Sequence, residues 1–144
     1  RFAAMAEALT GARPVPEVHE IGPMAVVLEP GADGPAFLPQ PESSEWFLAH
    51  GPGTGWENTF TLGMSADPPF DPFVCAAHVS PAALLMVVAT DDVVAATDVA
   101  LAAFESAREP KQLHMVQGHH FADYQGDGFT ESVAVMTRFL LAHL

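Results

Sequence analysis

Cysteine is almost absent: Cys75 is alone among 144 residues, so no disulfide can form within the chain. Positive charge is nearly as scarce. Five bases (Arg1, Arg13, Arg108, Lys111 and Arg138) stand against eighteen acids, for a net charge of −13. So few cations cannot neutralise a phosphate backbone, which excludes a nucleic-acid partner. The same charge is repelled by anionic membrane surfaces. No stretch approaches the roughly 20 apolar residues that a membrane span needs. Residues 1–9 are too short and too acidic for a signal peptide. A lone thiol without leader or span fits a reducing, cytoplasmic location. An initiator methionine is lacking too: the chain opens at Arg1, in a segment (2–9) of helical character, which reads as a processing or fragment boundary. Metal-ligand spacings are missing. His119, His120 and Asp123 lie on one loop, where adjacent histidines rarely converge on an ion.

What is present is an apolar half, 49% of the residues, enough for one domain's core. The chain divides near residue 80. Residues 1–80 read as an irregular insert or cap-like connecting segment, punctuated by Pro and Gly. Within it, 24–28 reads as a short strand, 42–50 as a short helix and 51–55 as a loop. Residues 81–144 are orderly. Leu84-Leu85-Met86-Val87-Val88-Ala89 is a continuous apolar run of strand length, as in strands covered on both faces. Thr97-Asp98 caps a helix to about Arg108, ended by Glu109-Pro110. A second strand covers 112–116. The last helix, 130–144, sets Val133, Met136 and Leu140 on one stripe. A helical crossover of this length joins parallel strands. The fold class is therefore α/β.

This order has a chemical consequence. Asp92 and His120 each fall just past the carboxyl end of a parallel strand, the edge at which open α/β sheets place their sites. A carboxylate beside an imidazole fixes its tautomer and stabilises the imidazolium, which is two-thirds of a nucleophilic triad. On residue types alone, Asp91-Asp92 starting a turn and His119-His120 lying on a surface loop stays open beside it. Asp91 is the alternative acid and His119 the alternative base.

A resemblance narrows the choice. The run from Pro81 to Asp92 is similar to the seventh strand and acid loop of α/β-hydrolases, with Ala89-Thr90-Asp91-Asp92 placing the acid at Asp92. Glu109-Pro110-Lys111-Gln112-Leu113 resembles the lead into the eighth strand. Gly118-His119-His120-Phe121 with Tyr124 resembles the family's Gly-Gly-His-Phe block and its following Tyr, with His119 where Gly is common. Trp56-Glu57-Asn58 and the Asp71-Pro72 turn resemble the dienelactone-hydrolase-like and esterase branch. The resemblance is strong over 81–144 and weaker over 36–80. It implies the C-terminal portion of an α/β-hydrolase, with Asp92 and His120 catalytic, no cofactor, and a small-molecule ester, thioester or lactone as substrate.

The family's Gly-x-Ser-x-Gly turn is missing. Of the six serines, Ser65 in Gly63-Met64-Ser65-Ala66-Asp67 is the nearest, but Asp67 replaces the second Gly and Pro68-Pro69 opposes a helix start. Cys75 lies in a stretch, 73–77, that reads as buried apolar core. The nucleophile is therefore expected on an upstream segment. A split hydrolase, or a catalytically incomplete binding module that keeps the fold, are the alternatives. His114 reads as structural, and Trp46, Phe47, Trp56 and Phe60 as either an acyl pocket or ordinary core. Partners follow from the sheet. With only 112–116 to pair with 84–89, unpaired groups beside Leu84, Met86 and Val88 invite a complementary N-terminal hydrolase segment, a second copy, or residues 24–28. The isolated chain is then not expected to be a stable monomer.

Without a nucleophile, the purified 144-residue chain is expected to show no turnover of a short-chain chromogenic ester. Turnover abolished by Ser65→Ala would identify Ser65 as the nucleophile instead.

Overall fold

The computed structural model describes residues 18–65 and 71–144. The helical segment read at 2–9 lies outside them, as does the Pro68-Pro69 step. The first part of the chain carries more regular structure than its Pro and Gly content suggests. Strands β1 (Val18–Val27), β2 (Ala36–Leu38) and β3 (Phe60–Ser65) form a sheet in the order β2-β1-β3. β1 pairs with β2 in parallel and with β3 antiparallel, shifting register between Glu20 and Gly22. This corrects the irregular reading of the segment. Gly22-Pro23 breaks the apolar alternation of β1, so that only 24–28 looks strand-like, and the bulge restores pairing on either side of the break. Residues 24–27 are thereby committed to this sheet and do not reach the apolar run at 84–89.

The end of β1 is closed by a side chain. Asn58 Oδ1 accepts the Val27 N–H and Asn58 Nδ2 donates to the Val27 carbonyl, both at 2.9 Å. The amide continues the ladder where β3 has not yet begun. Val27 is fully buried, so no water can replace these bonds.

The second sheet positions the site. β4 (Leu84–Ala89) and β5 (Lys111–Val116) are parallel and in register from Leu84↔Lys111 to Ala89↔Val116. They are joined through α3 (Thr97–Ser106). Ala103 and Ala107 of this crossover pack on Ala76 from α2 (Pro72–Ala76), with Leu84 and Met86 against them. Lys111 closes the end of α3: its Nζ donates to the Phe104 and Glu105 carbonyls and lies over the Phe104 ring.

Three expectations are corrected here. The 73–77 stretch is not buried. Asp71 caps α2 by accepting the Phe73 and Val74 N–H groups, and the short helix turns only Ala76 inward. Phe73 (42%) and Val74 (56%) stay exposed, and Cys75 is exposed with them. The last helix, α4 (Gly126–His143), begins one turn earlier than its apolar residues indicate. Its packed face is also the smaller one. Ser132 and Val135 are buried, while Val133, Met136 and Leu140 are 39–50% exposed. Gly128 explains this choice: a Cβ there would overlap the Ala122 carbonyl, so the first turn lies flat on the loop after β5.

The open edge of β4 shifts by one residue from that expected. Leu84 N–H donates to Pro110 O at 3.0 Å and Thr90 N–H to Val116 O at 2.9 Å. Backbone groups alternate sides along a strand. Leu84, Met86 and Val88 therefore turn theirs toward β5, and Leu85, Val87 and Ala89 turn theirs outward. Among the described residues no strand pairs with that outer edge.

Asn58→Ala leaves both Val27 backbone groups buried and unpaired. It is expected to cost about 2 kcal/mol in urea unfolding. A value within about 0.5 kcal/mol of the parent would show that the clasp contributes nothing.

Candidate active site

The loop after β4 is tied at both ends by threonines. Thr97 Oγ1 donates to the Ala89 carbonyl at 2.8 Å and accepts the Asp92 N–H at 3.0 Å. The expected capping role of Thr97 gives way to this one: Ala96 is the N-cap residue, and the hydroxyl is spent on the acid loop. Thr90 Oγ1 accepts the Gly118 N–H at 3.0 Å and Gln117 Nε2 at 3.1 Å, and donates to Asp91 Oδ2 at 2.7 Å. The acid loop and the histidine loop are thus joined before either catalytic candidate is considered. Gly118 has φ 122°, a conformation that L side chains rarely adopt, and it turns the chain into His119-His120.

Asp92 and His120 meet. Asp92 Oδ2 lies 2.7 Å from His120 Nδ1. The other oxygen, Oδ1, accepts the Val94 N–H at 2.8 Å and the Ala95 N–H at 2.7 Å. The carboxylate is 10% exposed and the imidazole 22%. Burial alone would raise the Asp92 pKa. The hydrogen bonds from Ala95 N–H, the His120 ring and Val94 N–H, with the charge of His120, together outweigh it and hold the carboxyl below its ordinary value. Asp92 is therefore ionised at neutral pH, and Nδ1 of a neutral His120 carries the proton.

The alternatives are placed elsewhere. Asp91 is taken up by Thr90. His119 is exposed, and its Nδ1 accepts the Phe121 N–H at 3.2 Å. His114 Nε2 lies 3.4 Å from Glu131 Oε1 on α4. Ser65 is the last residue of β3, in the other sheet, and residues 66–67 of its motif lie outside those described.

Above the pair sits an aromatic stack. α1 (Pro41–His50) presents Trp46, whose ring stacks on Phe121 at 4.9 Å and 10°, with His50 on its other side at 4.9 Å. Phe121 meets His120 edge-on at 4.8 Å. Phe47 bridges Phe121 and Trp56. Phe60 is not part of this group and packs on Phe37. A cavity of about 260 Å³ is lined by Met86 and Val88 of β4, by Ala100 of α3, and by Asp92, His120 and Tyr124. The Tyr124 hydroxyl lies 3.5 Å from His120 Nε2. The sequence marked Tyr124 only within the resemblance and gave no sign of the role of Thr90, which depends on the distant loop it ties, or of the turn from cap to loop tie at Thr97. Among the described residues no group of side chains is arranged to hold a metal. No helix there is long and apolar enough to cross a membrane.

No protein-family model and no curated protein matches this sequence. Among solved structures it is similar to the crystal structure of the α/β hydrolase GrgF from Penicillium sp. sh18, with a TM-score of 0.60 and 22% identity. The match covers 99% of this chain and 46% of that one, so the chain spans less than half the length of its structural neighbour. The fold is therefore α/β, that of part of an α/β-hydrolase.

The lowered Asp92 pKa carries a pH dependence. A depressed folded-state pKa gives stability that is complete above the unfolded carboxylate value and is lost as pH falls through the folded one. Thermal melting of the parent and Asp92→Asn should differ most near neutral pH and converge below about pH 4. A difference that persists unchanged at low pH would show that the ionised carboxylate is not its source.

Proposed function

We propose that this chain supplies the acid and the base of a serine hydrolase acting on a small ester, thioester or lactone. The observation that carries this reading is the 2.7 Å contact between Asp92 and His120 at the carboxyl ends of two adjacent parallel strands. In this reading a serine from a complementary N-terminal hydrolase segment enters beside β4. His120 Nε2 takes the hydroxyl proton as the oxygen attacks the carbonyl carbon. Asp92 holds Nδ1–H and stabilises the imidazolium. His120 then returns the proton to the leaving alkoxide or thiolate, and water repeats the sequence on the acyl-enzyme.

Three features support a partner of this kind. The outer edge of β4 offers the N–H and C=O groups of Leu85 and Val87, and the N–H of Ala89, to a further strand. The cavity is lined by β4 residues and by His120. Phe129, Val133, Met136 and Leu140 leave an apolar stripe open on α4, as a face that packs within a larger fold would be. Cytoplasmic placement agrees with the exposed, unpaired Cys75.

The reading is tested on the chain isolated with the polypeptide that completes it. The assembly should hydrolyse a short-chain p-nitrophenyl ester. A fluorophosphonate should label a serine outside these 144 residues. His120→Ala should lower kcat by roughly 10³-fold or more. Turnover that survives this substitution, or a label on Ser65, would overturn the assignment.

A further inference from the structure

The Nε2 atom of His120 does not face empty cavity. The Tyr124 hydroxyl lies 3.5 Å away, and both groups line the same space beside β4. The direction of this contact follows from the other side of the ring. Nδ1 carries the proton because it faces the ionised Asp92, so neutral imidazole presents only a lone pair at Nε2. The phenol is then the donor. The contact is long for a hydrogen bond, as those of resting catalytic sites often are. The Tyr124 ring is held edge-on by Phe121 at 5.3 Å and Trp46 at 5.5 Å, and its N–H donates to Phe121 O at 3.2 Å. Tyr124 is nevertheless 50% exposed, so its hydroxyl can be displaced without opening the core.

A nucleophile's hydroxyl needs this same lone pair. We propose that Tyr124 is a positioning residue that stands in for the nucleophile: its O–H donates to Nε2 and holds the imidazole ready until the attacking hydroxyl displaces it. The proposal rests on the reading of His120 as the base. It adds a residue outside the triad, and a reason for the histidine to keep its orientation before the site is complete.

Carbethoxylation of the full chain by diethyl pyrocarbonate at neutral pH, read residue by residue by mass spectrometry, tests this. The reagent consumes the free Nε2 lone pair. Tyr124→Phe keeps the ring and removes the donor, so His120 should react faster by about twofold to tenfold, the weight of one ordinary hydrogen bond. Exposed His119 in the same chain should not change. An unchanged or slower rate at His120 would overturn the proposal. So would a rise seen in Tyr124→Ala but not in Tyr124→Phe, since ring bulk alone would then be the shield. His120→Ala in the completed enzyme tests the base separately, so either idea can fail without the other.

Discussion

The parallel pairing of β4 with β5 is the constraint on which the rest depends. Six residue pairs in register, Leu84↔Lys111 to Ala89↔Val116, bring the two strands to their carboxyl ends at the same level. Whatever follows Ala89 and Val116 must then share one edge. Thr90 and Thr97 convert that proximity into geometry: Thr90 takes the Gly118 N–H of the other loop, and Thr97 ties the acid loop back to the Ala89 carbonyl. Asp92 completes the arrangement. One oxygen is fixed by the Val94 and Ala95 N–H groups, which leaves the other free to aim at His120. A carboxylate held only by the imidazole could rotate. One anchored by two backbone donors cannot do so without leaving them unpaired, and this is how the fold sets the orientation of the histidine.

How far this could be read from the residues depends on range. β4 and β5 were legible because a buried parallel strand needs an uninterrupted apolar run, and the intervening helix fixes their direction. Asp92 and His120 followed from their positions after those strands, with the family resemblance deciding between neighbouring candidates. The sheet of β1 to β3 was not legible. Gly22-Pro23 interrupts its longest strand, and the pairing of Met24 with Phe60 spans a distance that no local pattern records. The last helix failed at its start and at its face. A stripe of large apolar residues on α4 promised a buried side, yet Gly128 lets the smaller side approach the loop after β5 more closely.

The exposed stripe and the open edge of β4 have the same physical meaning. Apolar side chains left in water, and backbone donors and acceptors without partners, each cost free energy that a neighbouring element can recover. Here both occur on the part of the chain that also carries Asp92 and His120.

On the proposed reading, assembly and activation become a single event. The cavity that reaches His120 begins along β4, beside Met86 and Val88. An attacking hydroxyl must reach Nε2 through the space where the Tyr124 hydroxyl now lies. Closing the sheet excludes water from Asp92 and His120 at the same step, strengthening the charge interaction between carboxylate and imidazolium when attack creates it. A base exposed before its nucleophile arrives would be free to rotate or to bind solvent. Stacking of Trp46 on Phe121, the edge-on contact of Phe121 with His120, and the Tyr124 hydroxyl all oppose that rotation. The histidine is thus held by three separate elements: the acid loop beneath it, α1 above it and its own loop beside it.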